Sequence, residues 1–88
     1  DFNEGVGGVA VEYLEDRGYT NALPLYRPGQ FTWRGNSVAN QFTQTLDHVL
    51  FDSAFEPLNA WVTNAGGSDH LPLIVHLEQA YDWDAAPP

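Results

Sequence analysis

The stretch Leu46-Asp47-His48-Val49-Leu50-Phe51 constrains this chain more than any other. Bounded by Gln44-Thr45 and Asp52-Ser53, it predicts a strand, with Val49 and Phe51 on one face and Leu46 and Leu50 on the other. A strand that is apolar on both faces needs a covering layer on both. The other predicted elements do not supply two. Val6, Val9, Ala10, Tyr13 and Leu14 have the spacing of an amphipathic helix over about residues 6 to 17. Glu12, Glu15 and Asp16 lie opposite that stripe, Arg17 falls in the last turn, Gly18 is a stop and Asn3 a candidate cap. Residues 18 to 30, with Pro24, Pro28 and Gly29, predict a surface loop. Phe31 to Arg34 predicts a short strand stopped by Gly35-Asn36, and residues 36 to 44 are polar and unpatterned. Further strands are predicted over Leu58 to Thr63 and Leu71 to Leu77, joined by the turn Asn64-Ala65-Gly66-Gly67, with a fraying tail from Gln79 to Pro88. One helix followed by four strands makes an α+β fold whose sheet lacks its second layer. The expectation is half of a larger domain.

Composition narrows the function classes. At 88 residues the chain is one domain at most, and 43% apolar with 14% aromatic content argues for a packed core. Twelve acidic residues stand against Arg17, Arg27 and Arg34, a formal net charge of -9. A phosphate-neutralising duplex-binding face cannot come from this segment alone. The acidity fits a cation-binding cleft or, with greater weight, plain solubility. With no cysteine, disulfides and thiolate metal sites are excluded. No apolar run approaches the roughly 18 residues of a membrane span, and no signal peptide is visible. An opening on Asp1-Phe2-Asn3 without an initiator Met reads as a cut through a longer protein. Nothing in the composition selects a compartment.

Four short clusters carry the chemistry. Asp1-Phe2-Asn3 sits at the mouth of the predicted helix; Thr32-Trp33 precedes a polar loop; Leu46-Asp47-His48-Val49 opens a strand; Ser68-Asp69-His70 follows a glycine turn and opens the last strand. In this order they resemble the motifs of the endonuclease/exonuclease/phosphatase (DNase I-like) superfamily: Gly-Asp-x-Asn, Thr-Trp, Ile/Leu-Asp-His/Tyr and Ser-Asp-His. Any one tripeptide is weak, whereas four in order over residues 1 to 78 are specific. The resemblance implies the C-terminal half of a four-layer αββα sandwich, with residues 79 to 88 as a tail. It also implies a metal-dependent phosphoester hydrolase that uses Mg²⁺ or Mn²⁺.

Hydrolysis of a phosphodiester needs neutralised phosphoryl oxygens, an oriented water and a stabilised leaving group. By resemblance, Asp1 orients or deprotonates the water, and Asp1 and Asp69 hold the metal. Asn3 and His70 contact the phosphoryl group, Trp33 walls the substrate cleft, and Asp47 fixes the tautomer of His70. Each assignment has a plainer rival. Asp1-Phe2-Asn3 can be a capped loop, and Trp33 serves equally as core packing. Asp47 in an apolar strand is unusual for a structural residue, because a lone buried carboxylate is costly. His48 and His76 are better read as ordinary strand histidines, Ser68 as a turn residue, and Tyr13, Trp61 and Phe51 as core.

The early Asn and the Glu metal ligand of the superfamily have no match in this segment. The resemblance therefore implies a partner, the N-terminal half of the same domain, and an inactive isolated segment. Its substrate is a phosphoester, most often a nucleic acid in that superfamily. A lipid or inositol phosphate is the second reading, favoured by the acid excess, and a non-catalytic scaffold is the third.

Overall fold

The computed structural model describes residues 1–36 and 41–80. Two short helices and three two-stranded antiparallel sheets make a small α+β fold. In chain order the elements are α1 (Val9–Glu15), β1 (Thr20–Asn21), α2 (Ala22–Tyr26), β2 (Trp33–Asn36), β3 (Gln41–Gln44), β4 (Leu50–Phe51), β5 (Phe55–Val62) and β6 (Leu73–Gln79). The pairs are β1 with β4, β2 with β3, and β5 with β6. The predicted tail lies, from residue 81 on, outside the described residues, as do residues 37–40 of the polar stretch.

The β5–β6 hairpin carries the core. Ala60 pairs with Val75 and Val62 with Leu73, and one face of the hairpin packs Ala60, Val62, Leu73, Val75 and Leu77 against Ala22, Leu23 and Tyr26 of α2 and Phe51 of β4. Pro57 can donate nothing to the ladder, and the register shifts between Pro57 and Asn59. The free Pro57 carbonyl accepts the Tyr26 hydroxyl at 2.8 Å, which pins α2 to the hairpin. Trp61 sits half-buried on the other face, edge-on to His76, rather than in the core.

Several sequence expectations are corrected. The loop over residues 18 to 30 contains β1 and α2; Pro24 is tolerated there because first-turn amides have no intrahelical acceptor. The helix over 6 to 17 is shorter, and its inward residue is Val11, fully buried, while Val9 is 84% exposed and Tyr13 54%. The stripe therefore faces outward, and Tyr13 is no core residue; its ring carries the Arg17 guanidinium instead, 3.4 Å from the centroid. Asn3 does not cap the helix. Gly8 is the N-cap residue, and the orphan Val11 amide is taken by the Glu4 carboxylate at 2.8 Å. The stop at Gly18 is real: with φ +91 it allows the paired bonds Gly18 N to Glu15 O and Tyr19 N to Leu14 O, a Schellman closure.

The predicted strand Leu46–Phe51 forms a ladder only at Leu50 and Phe51. Over residues 46 to 49 its backbone groups find other partners. Leu46 N and Asp47 N both donate to Thr32 Oγ1 at 3.0 Å, Leu46 O accepts Phe2 N, and Val49 O accepts Ala22 N. The neighbours of this segment are one buried side chain, the loop at Phe2 and the first residue of α2, so no continuous ladder can form. Thr32 is wholly buried, and its own main chain bonds Gln44 O and Leu71 N.

Replacing Thr32 with Val keeps the shape and strands two amides. We expect a loss of about 1–3 kcal/mol per amide in urea denaturation, with Thr32→Ser costing less because it keeps the acceptor.

Candidate functional site

Thr32 brings three of the sequence clusters together. Through its hydroxyl it fixes the backbone of Asp47. Through its carbonyl, which accepts Leu71 N at 2.7 Å, and the adjacent bond from Arg34 N to Asp69 O, it aligns Trp33 opposite His70 in a β-bridge. The fourth cluster docks through Phe2 N, which donates to Leu46 O, one residue before Asp47.

These anchors gather Asp1, Asp47 and His70, each of which offers one atom within 4.8 Å of the others. His70 Nδ1–H donates to Asp47 Oδ2 at 2.8 Å, with Oδ1 at 3.1 Å. The bond sets the ring proton on Nδ1 in the neutral imidazole and leaves Nε2 free, 3.6 Å from Asp1 Oδ2. Burial alone raises the pKa of Asp47. Hydrogen bonds from His70 and Thr32 and the charge of His70 outweigh it, and the carboxyl lies below its ordinary value.

The remaining predicted residues lie around this trio. Asn3 has a left-handed backbone, φ 54, and its amide donates to Asp1 Oδ1 at 2.8 Å, an Asx-type turn that holds the Asp1 side chain. Asn3 also lines a cavity of about 400 Å³ with Glu4, Val6, Thr45 and Leu46, to which neither Asp47 nor His70 contributes. The exposed Asp69 carboxylate accepts the Trp33 indole N–H at 3.0 Å, so Trp33 orients an acid as well as offering a ring face. Asp69 stands outside the close trio. Ser68 Oγ accepts His70 N at 3.1 Å, which makes Ser68 a turn residue.

Two groups were underrated in the sequence. Thr32 passed as one letter of a Thr-Trp pair, though a hydroxyl in the β-prone run Phe31 to Arg34 signals a buried acceptor. His48 is no ordinary strand histidine: it is buried, with Nδ1 2.9 Å from Asn21 Nδ2 and Nε2 2.8 Å from Glu4 O.

The donor set suits a hard divalent cation. Such ions take carboxylate oxygens and keep several waters, and the trio offers two carboxylates and an imidazole, with Asp1 exposed. The Asp1 side chain is 52% exposed, against 18% for Asp47. Asp47 is committed to His70, so Asp1 is the open carboxylate of the trio, while Asp69 lies outside it and holds the Trp33 N–H.

The lowered pKa of Asp47 fixes a sign. Its ionised form contributes stability that is present above the ordinary value of 3.8 and lost as pH falls through the depressed one. The stability gap between the native protein and Asp47→Asn, followed by urea denaturation from about pH 5 to about pH 2, should narrow below that value. A constant gap would mean that the carboxylate contributes nothing through its charge. Comparison with protein-family models, with curated proteins and with solved structures finds no match to the chain.

Proposed function

We propose that this chain carries one side of a divalent-metal-dependent phosphoester hydrolase centre of the endonuclease/exonuclease/phosphatase type. The supporting observation is the Asp47–His70–Asp1 arrangement, an imidazole oriented by one carboxylate with its free nitrogen turned to a second. Asp1 and Asp69 would hold Mg²⁺ or Mn²⁺, which would supply charge neutralisation to the phosphoryl oxygens. Asp1 takes the proton of the attacking water, Asn3 donates its side-chain amide to a phosphoryl oxygen, and His70 donates to the charge that develops on the phosphoryl group. Asp47 keeps the His70 ring in register, and it is the imidazolium, with both nitrogens protonated, that can donate from Nε2.

The same reading makes the chain the C-terminal half of a four-layer αββα sandwich, completed by an N-terminal half. Its support is apolar surface: Val6, Val9, Tyr13, Phe55 and Leu58 are each more than 40% exposed. Size-exclusion chromatography and a thermal melt of the 88-residue chain test this. We expect association or a broad melt; a compact monomer with a cooperative transition would count against it.

A phosphodiester, such as DNA, is the leading substrate class. The excess of 12 acids over 3 arginines favours the second reading, a lipid or inositol phosphate, because a polyanionic duplex is repelled. Metal-dependent nicking of plasmid DNA by the intact protein, lowered at least about a hundredfold by His70→Ala, is the expected result. Release of phosphocholine or inorganic phosphate from headgroups with DNA untouched moves the substrate to lipid. No turnover of either with Mg²⁺ or Mn²⁺ leaves a scaffold and sinks the enzymatic reading.

A further inference from the structure

His48 and His70 lie near the same acid but are used differently. His70 is half-exposed and engages Asp47 itself, whereas His48, the next residue after Asp47, is buried and both its ring nitrogens are occupied. The Asn21 amide nitrogen can only donate, so with the amide in this orientation His48 Nδ1 accepts. The Glu4 carbonyl can only accept, so the ring proton sits on Nε2 and is donated to it. The Phe2 ring meets the same imidazole edge-on, 5.4 Å between centroids. Asn21 Oδ1 is left buried and unpartnered, an uncommon cost for a side chain whose nitrogen serves His48.

The two contacts to Phe2 and Glu4 bracket Asn3 and lie just past Asp1. The opposite side of that turn is held by Phe2 N on Leu46 O. A turn that places a metal-facing carboxylate is thus tied to the segment 46–48 at three points, two of them on His48. We infer that His48, clamped between Asn21 and the Glu4 carbonyl, is a positioning residue that fixes the Asp1–Asn3 turn against the Asp47–His70 pair and thereby sets the affinity of the site for a divalent cation. This rests on the proposed hydrolase centre. His48 touches no reacting group; it acts through the backbone of Glu4 and the ring of Phe2.

Mn²⁺ titration of the intact protein, with free Mn²⁺ read by electron paramagnetic resonance, tests the inference without turnover. His48→Phe keeps a ring against Phe2 and removes both hydrogen bonds. It should raise the Mn²⁺ dissociation constant about 10- to 100-fold, the range seen when groups that orient metal ligands are removed. His48→Gln, whose amide can donate to Glu4 O and accept from Asn21, should recover most of that loss. If His48→Phe does not fold, Asn21→Ala takes its place and should weaken Mn²⁺ binding several-fold, with the His48 ring proton no longer confined to Nε2 in long-range ¹H–¹⁵N spectra. Folded His48→Phe or Asn21→Ala protein with wild-type Mn²⁺ affinity overturns the inference. The parent reading is judged separately. Wild-type Mn²⁺ binding abolished by Asp1→Asn but indifferent to His48 sinks the inference alone, whereas a wild type that binds no Mn²⁺ sinks both.

Discussion

A single buried hydroxyl organises this structure. Thr32 Oγ1 accepts two successive amides, from Leu46 and Asp47, where a neighbouring strand would ordinarily supply one carbonyl per alternate residue. Its main chain bonds Gln44 on one side and Leu71 on the other. The segment bearing Asp47 and the segment bearing His70 are therefore both indexed to one residue. The 2.8 Å contact between their side chains follows from that indexing rather than from any attraction between distant charges. Without the hydroxyl, two buried amides lose their acceptor and the backbone before Asp47 has no reason to hold its path.

The chemistry of the site follows from unequal exposure. Asp47 is shielded and committed to the imidazole, whereas Asp1 stands open and Asp69, exposed outside the trio, carries the Trp33 N–H. His70 lies between a carboxylate that fixes its Nδ1 proton and one that faces its Nε2. On the proposed reading, an acid that orients the imidazole and an acid that stands open to a cation would divide the work of one small cluster.

Much of the site was legible in the sequence, and rather less of the fold. Asp1, Asn3, Trp33, Asp47, Asp69 and His70 were singled out by four short motifs in order, and of these Asp1, Asp47 and His70, though not Asp69, come within ligand distance of one another. The α+β class and the β5–β6 hairpin follow from alternation and from the turn at residues 64 to 67. Local pattern failed where tertiary partners decide. Leu46 to Val49 reads as strand but is held by a side chain and loops, and Pro24 reads as a breaker although a first turn accepts it. The stripe of α1 was found in the right place and turned the wrong way. The Val11 amide is held by the carboxylate of Glu4, seven residues back, a contact that no periodicity encodes.

The clamp on the Asp1–Asn3 turn also bears on how the molecule comes together. His48 and Glu4 are 44 positions apart along the chain, and His70 and Asp47 are 23 apart. Both contacts close long loops, whose entropy must be spent before any ordering of the site is gained. A partly folded chain can hold the β5–β6 hairpin, which is local, while Asp1 and Asp47 are still far from each other and from His70. The meeting of Asp1, Asp47 and His70 is thus a property of the long-range closures, and it doubles as a register of complete folding.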